Sequence, residues 1–320
     1  MKHTFIESGL LSLIRSLSSP HIAQMADECS RMLYPEPQQH RRRLRFHLRT
    51  LLSLRATAAW LDLLHSDASL RACLEHEPEM AEKIHRPYRR AGLPLKTRLA
   101  LVRDHVGIAE TLGWTPLMAR AYGQTAAIAS FVDRTGQTLQ LVLTRPAQFG
   151  KEGELALHIT DADSRLYSAC FSFRNTAGRR ELDIGCIQGP AAEDGRQKIR
   201  DLTRNLHGLR PRSLMLDALR FIAAAAGCDR LRMVGNSNHI YRSLRKRRKI
   251  AFDYDAFCAE EEGAEADGAD WLLPVSVEPR PLSEVPSKKR AETTRRRALL
   301  DDIRGQVLDH TSTAGRPGQP

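Results

Sequence analysis

Two short stretches hold most of the side chains able to do chemistry. At the end of a run of alternating apolar residues stand Gln188 and Gly189, followed by Gly195, Arg196 and Lys198. Further along, Asn236, Asn238, His239 and Tyr241 follow the apolar residues Leu231, Met233 and Val234. Both are places where a strand gives way to a helix. There, free backbone N–H groups and the positive end of the helix dipole can hold an anion. Glycine lets the backbone approach a phosphate, and Arg196 and Lys198 would pair with it at a helix start that otherwise favours acids. In the second stretch, His239 titrates near neutrality and suits a general base, and the Tyr241 hydroxyl can donate a proton. Each stretch also has a plain structural reading. Gln188 to Gly195 can be an ordinary turn, Asn236 or Asn238 a helix N-cap, and Tyr241 a half-buried aromatic. Between the stretches, His207-Gly208-Leu209-Arg210-Pro211 reads as a helix C-cap, which accounts for His207, Gly208 and Pro211 but not for Arg210.

The elements that would position these residues follow from periodicity. Residues 1–129 read as a helical N-terminal region, with Leu44, Leu48, Leu51 and Leu52 on one stripe and Leu99, Val102, Val106 and Ala109 on another. From Ser130 the period changes to two. Strands are expected around Leu139–Leu143, Leu155–Ile159, Tyr167–Phe173 and Leu182–Cys186, and their short connections imply an antiparallel meander. Helical spacing returns at Ile199–Leu206 and Met215–Ala226, then a fifth strand at Leu231–Val234 and a short basic helix from Ile240 to Lys249. The acidic insert Glu260–Asp270 reads as a mobile surface loop. A charged helix from Lys288 to Val307 precedes a tail, 308–320, expected to be disordered. The fold class is α+β: a helical N-terminal region, then a domain over 130–307 with a mixed, mainly antiparallel sheet and flanking helices.

The blocks Ile187-Gln188-Gly189-Pro190, Thr203 through Arg210-Pro211, Val234 through Tyr241, Tyr254-Asp255 and Ser287 through Ala291 resemble, in order and spacing, the VirK/YbjX family of Gram-negative bacteria, also called DUF535. The likeness covers most of residues 40–305, and it implies a link to virulence and envelope stress. A second resemblance is to the GNAT acyltransferase fold: four antiparallel strands, a phosphate-facing turn, a helix, a strand and an Asn/Tyr-bearing turn. It implies an acyl-CoA co-substrate, its pyrophosphate held by Gln188, Gly189, Gly195, Arg196, Lys198 and Arg210. His239 and Tyr241, beside Asn236 and Asn238, would handle the protons. The chain departs from the GNAT pattern Q-x-x-G-x-G/A, because Gln188-Gly189-Pro190 is followed only later by Asp194-Gly195-Arg196.

The chain of 320 residues carries a net charge of +11, and much of the excess is clustered. Arg41, Arg42, Arg43, Arg45 and Arg49 form one cluster, Arg242 and Arg245 through Lys249 a second, Lys288–Arg290 with Arg295–Arg297 a third. Such patches attract coenzyme A thioesters, lipid head groups or nucleic acid. Six scattered cysteines without a CxxC pair read as buried thiols, and no metal is expected. With no signal peptide or membrane span, the cytoplasm is the default, and peripheral contact at the inner face of the inner membrane would suit the basic surface. Two functions stay open: an acyl-CoA-dependent acyltransferase with an unknown acceptor, or a non-enzymatic basic protein on anionic lipid or nucleic acid. The first needs Gln188, Arg210, His239 and Tyr241 to converge on a cleft. The second needs the basic clusters on one face.

Overall fold

The computed structural model describes residues 2–190, 195–242, 252–266 and 268–313. The chain divides into two compact units, the first comprising residues 1–88 and 92–103, the second 89–91 and 104–320. The first unit is helical: α1 (Lys2–Leu17), α2 (Pro20–Leu33), α3 (His40–Leu52), α4 (Leu54–Ser66), α5 (Ala68–His76) and the start of α6 (Leu95–Thr111), with a 3-10 segment at Pro78–His85. Ser19 and Asp67 cap α2 and α5 by accepting from the amides of Ile22 and Leu70, the pattern that satisfies otherwise orphaned N–H groups. Trp60, Phe46, Leu61, Leu64, Leu70 and Ile84 are buried at its centre.

The second unit holds the end of α6, then α7 (Thr115–Gly123), β1 (Ala126–Val132), β2 (Thr138–Thr144), β3 (Leu155–Thr160), β4 (Arg165–Thr176), β5 (Arg179–Gln188), α8 (Gly195–Asn205), α9 (Pro211–Ala225), β6 (Arg230–Met233), α10 (Tyr254–Glu260), β7 (Ala264–Ala266), β8 (Asp270–Leu273) and α11 (Ser287–Thr313). The strands form one sheet in the order β1-β2-β3-β4-β5-β6-β8-β7. Every neighbouring pair is antiparallel except β5 and β6, which run parallel. Leu214, Met215, Ala218, Leu219 and Ile222 of α9 are buried, and α9 packs on β4, β5 and β6. This is the α+β fold with a mixed, mainly antiparallel sheet that the periodicity implies.

Five features differ from the sequence reading. On α3 the buried residues are Phe46, His47 and Thr50, while Leu48 and Leu52 of the expected stripe are exposed. A strand precedes the expected meander: β1 begins at Ala126, where the alanines of Ala126–Ala129 mask the alternation. The Glu260–Asp270 insert is not simply a loop, since Ala264–Ala266 pairs with Asp270–Leu272 as a hairpin. Asp270 anchors it, buried and gripped by Arg90. α11 runs on to Thr313, past the expected tail boundary, with Ile303 and Val307 buried; residues 314–320 lie outside the described residues. Of the short basic helix, Ile240–Arg242 forms a 3-10 turn, and residues 243–251, with Arg245 to Lys249, also lie outside the described residues.

The edge strand β1 is covered by α11. Gln306 donates to Ser130 O and accepts from Ser130 N, both at 2.8 Å, so its amide takes the place of a neighbouring strand.

Candidate functional site

The parallel junction of β5 and β6 is short. Glu181–Ile184 pairs with Arg230–Met233, and Val234 N still reaches Ile184 O at 3.1 Å. On its other side β5 skips a residue against β4: Cys170 pairs with Cys186, but Phe171 pairs with Ile184, which leaves Gly185 as a bulge. A bulge bends its strand and re-aims the residues beyond it. Past Gly185, the N–H and C=O of Ile187 are met by the Tyr254 hydroxyl, at 3.3 and 3.4 Å. Only glycine fits at the bulge, because a Cβ on Gly185 would stand 1.8 Å from Glu152 O and 2.6 Å from Arg89 Nη1.

A buried ionic network fixes the segment 89–91 at this junction. Arg89 binds the Asp183 carboxylate at 2.5 Å and Asp183 O at 2.6 Å, and also donates to Glu152 O. Arg90 grips both oxygens of Asp270 at 2.9 Å and Asp183 at 2.7 Å. Burial alone would raise the Asp183 pKa. The cations Arg89, Arg90 and Arg174 outweigh it and hold the carboxyl well below the usual range. The segment then bridges to His239 through Arg90, and Ala91 N donates to Asn238 O at 3.0 Å.

His239 sits where these parts meet. It is buried, stacked on Tyr254 with centroids 5.2 Å apart, and 5.7 Å from the Tyr241 ring. The Tyr241 amide donates to His239 Nδ1 at 3.4 Å, which leaves the ring proton on Nε2. Nε2 faces Glu152 Oε1 at 3.4 Å, too poorly aligned for a hydrogen bond. Burial, and next Arg90, lower the His239 pKa to about 4. Burial raises Glu152 to about 7, although a bond from Cys186 and the charges of Arg89 and Lys151 pull the other way. Burial and then Glu152 push the Cys186 thiol well above its usual range. At neutral pH the cluster therefore holds a neutral imidazole, a neutral thiol and a carboxyl poised between its two forms. A group titrating near the operating pH suits general acid–base transfer. Glu152 fits that role better than His239.

The candidate residues from the sequence separate into groups. His239 and Tyr241 come together with their rings in contact. Asn236 and Asn238 tie the loop down. Asn236 donates to Asp253 at 2.8 Å and accepts from Tyr254 N at 3.0 Å. Asn238 donates to Gly268 O and, at 3.0 Å, to Asp270. Their amides are taken up by structure, and neither acts as a helix N-cap at its own position. Gly189 and Gly195 are required by close packing against the chain itself: a Cβ would meet Tyr167 at 2.9 Å in the first case and Pro190 O at 2.8 Å in the second. Gln188, Arg196 and Lys198 are exposed. His207 and Gly208 both take positive φ, and Gly208 N bonds Thr203 O at 2.9 Å, as the C-cap reading expects.

Arg210 has a different setting. With Arg200, Arg204 and Arg212 it lines a cavity of about 590 Å³ whose apolar wall includes Tyr167, Ile199, Pro211 and Phe252. Phe252 packs on Tyr254 with centroids 4.8 Å apart, and Tyr254 in turn stacks on His239. Two aromatic rings thus stand between the arginine cavity and the buried acid–base cluster. Glu152, Cys186 and Tyr254 are not among the site candidates of the sequence. Tyr254 lies within a matched block, and Cys186 within an expected strand. Nothing local marks Glu152 in Lys151-Glu152-Gly153-Glu154.

The first basic cluster lies on α3, in the first unit, and the third on α11, in the second. Arg43 faces Glu7, Arg49 pairs with Glu82, and Arg296 bonds His207 O. All six cysteines are buried, and none is in a disulfide. Among the described residues no helix is long and apolar enough to cross a membrane.

Comparison with known proteins agrees with the first resemblance. The family model described as protein of unknown function (DUF535) matches residues 35–309. The uncharacterized protein YbjX of Escherichia coli K12 is 30% identical over 275 residues, covering 84% of this chain and 83% of that one. An uncharacterized protein of Haemophilus influenzae Rd is 30% identical over 153 residues, 48% of this chain and about half, 51%, of its own length. Among solved structures, a variant of a cAMP-binding acyltransferase from Mycobacterium smegmatis is similar at a TM-score of 0.29 and 13% identity, over 69% of this chain and 63% of that chain, too distant to carry an argument. The family match across most of the chain, joined to the likeness to YbjX over 84% of it, shows that this chain belongs to the DUF535 family.

Proposed function

We propose that the protein is an acyl-CoA-dependent acyltransferase, with a lipid or envelope precursor as acceptor at the cytoplasmic face of the inner membrane. The observation that carries this reading is the parting of β5 from its parallel neighbour. Past Gly185, Ile187 stays in register with Ala169 of β4 but lies beyond the β5–β6 pairing, and its N–H and C=O are held by one side-chain hydroxyl. A linear, amide-bearing arm such as pantetheine can replace that hydroxyl and pair with the strand as another strand would. The neighbouring cavity supports the same reading, because Arg200, Arg204, Arg210 and Arg212 offer cations to a diphosphate, which would displace Asp201 from Arg204 and Glu260 from Arg210 and Arg212, and Tyr167 and Phe252 offer apolar surface. With the thioester beside Ile187, Glu152 would accept the acceptor's proton and Tyr241 would protonate the leaving thiolate. Of Gln188, Arg210, His239 and Tyr241, only Arg210 lines this cavity, and His239 is buried behind Tyr254 and Phe252, so the four do not share a cleft in this form and the reading requires the Tyr254 wall to move when the arm enters.

A second reading rests on that same burial. A closed acid–base cluster beside an arginine-lined cavity also suits a protein that binds an anionic lipid or nucleic acid without catalysis.

Thermal stabilisation by coenzyme A, acetyl-CoA and longer acyl-CoAs separates the two. At ~100 times its dissociation constant a ligand adds about 2.7 kcal/mol. The acyltransferase reading expects a shift with a thioester that is lost in the Arg200→Ala/Arg204→Ala double variant, which removes two of the four cavity cations. No shift with any thioester, or one indifferent to that variant, rejects it.

A further inference from the structure

Away from the sheet, three helices of the first unit bring together a group of ligand-type side chains that no sequence spacing announces. Glu7 of α1, Asp27 of α2 and His47 of α3 each offer one ligand atom, and these atoms lie within 4.8 Å of one another. The His47 side chain is fully buried, with Nε2 3.7 Å from Glu7 Oε1. Neither of its ring nitrogens has a hydrogen-bond partner. An imidazole held this way forfeits the bonds it makes in water, a cost that native interiors rarely leave uncompensated.

We propose that Glu7, Asp27 and His47 form a binding site for a divalent first-row transition ion of the zinc class. One imidazole with two carboxylates is a donor set such ions accept, whereas calcium and magnesium prefer oxygen alone. Three protein ligands leave a fourth position for water. The ring is placed for a metal: it is fully buried, both of its nitrogens lack a hydrogen-bond partner, and one of them lies within 4.8 Å of ligand atoms from Glu7 and Asp27. A tetrahedral ion with bonds of about 2.0–2.1 Å needs ligand atoms about 3.3 Å apart, so the cluster must tighten by up to about 1.5 Å. The acids can supply that movement, since Glu7 and Asp27 keep 14% and 26% of their side-chain surface while His47 stays fixed.

Two arginines compete for the carboxylates. Arg31 forks onto Asp27, Nη2 to Oδ2 at 2.9 Å and Nε to Oδ1 at 3.2 Å, so an ion must displace a two-pronged pair, which the 69% exposure of Arg31 to water and salt weakens. Arg43 Nε lies 3.5 Å from Glu7 and makes no hydrogen bond there. Neither contact satisfies His47.

The test uses the full chain, stripped with a chelator and titrated calorimetrically with Zn²⁺. Co²⁺ serves as a second probe, through its visible d–d absorption. The expected result is one ion per chain and a Co²⁺ band showing nitrogen and oxygen ligands. Asp27→Asn and Glu7→Gln should each weaken binding by ~10-fold or more. Both sit at the rim, so their metal-free melting temperatures report whether the fold is intact without opening a core cavity. Absence of saturable binding, absence of the Co²⁺ band, or undiminished affinity in both folded variants overturns the site.

Discussion

Glu152 shows how far surroundings can redirect a common side chain. In water its carboxyl would be ionised well below neutrality, but burial lifts it to about 7. An acid with a raised folded pKa favours the folded state most at low pH, and that contribution is lost as pH rises from its unfolded value through 7. Glu152→Gln removes this titration. We therefore expect the variant to gain about 2–3 kcal/mol relative to the parent between pH 5 and pH 8, read from urea unfolding at the two pH values. A constant difference would mean that Glu152 is ionised throughout. The same substitution should cost ~100-fold or more in thiol release from a thioester, if Glu152 is the base.

At the scale of elements, the end of β5 is the part whose design is least explained by stability alone. A strand that bulges at Gly185 and leaves its neighbour gives up ladder hydrogen bonds, and Tyr254 from α10 makes good the deficit at Ile187. Asn236 braces the arrangement by holding Asp253 and Tyr254 N, at the start of α10. Tyr254→Phe keeps the ring stacked on His239 but removes the hydroxyl. It should destabilise the ligand-free protein by about 1–3 kcal/mol, the cost of two buried backbone groups left unpaired. It should also enlarge the melting shift produced by an acyl-CoA, because the arm no longer competes with Tyr254. A smaller shift would argue that the thioester does not lie along β5.

At the scale of the molecule, charge buried on folding decides the response to pH and to mutation. In the second unit Asp183 is the hub, held by Arg89 and Arg90 with no access to solvent. Asp183→Asn leaves those guanidinium groups buried without their counter-charge. A loss of about 3–5 kcal/mol is expected in denaturant unfolding, and a loss under about 1 kcal/mol would show that water reaches the network. His47 in the first unit, and His158 and His239 in the second, are each lowered to about 4, mainly by burial. A histidine with a depressed folded pKa stabilises fully above its unfolded value, and that stability is lost as pH falls towards 4. Between pH 7 and pH 5 each should lose about 2 kcal/mol, while Glu152 regains about as much as one of them gives up. The net is a falling unfolding midpoint on mild acidification, and a flat profile would show that these rings are hydrated.

Much of the fold was legible because period and punctuation are local. The alternation in Leu139–Leu143, Leu155–Ile159 and Tyr167–Phe173 marks strands, and the Gly208-to-Pro211 break separates α8 from α9, both as found. β1 escaped because alanine is nearly neutral between strand and helix patterns, and β7 escaped because acidic, small residues read as loop. Of the site, His239 and Tyr241 were visible as chemical types next to a strand end, although the role of Asn236 and Asn238 as ties depends on partners distant in sequence. Glu152, and the meeting of Glu7, Asp27 and His47, exist only through tertiary structure. A pKa is set by which charges and how much water surround a group, and a cluster by which helices cross. Neither is encoded in residue spacing, so the sequence by itself determined the elements and the family, while the packing of those elements decided which side chains share a site.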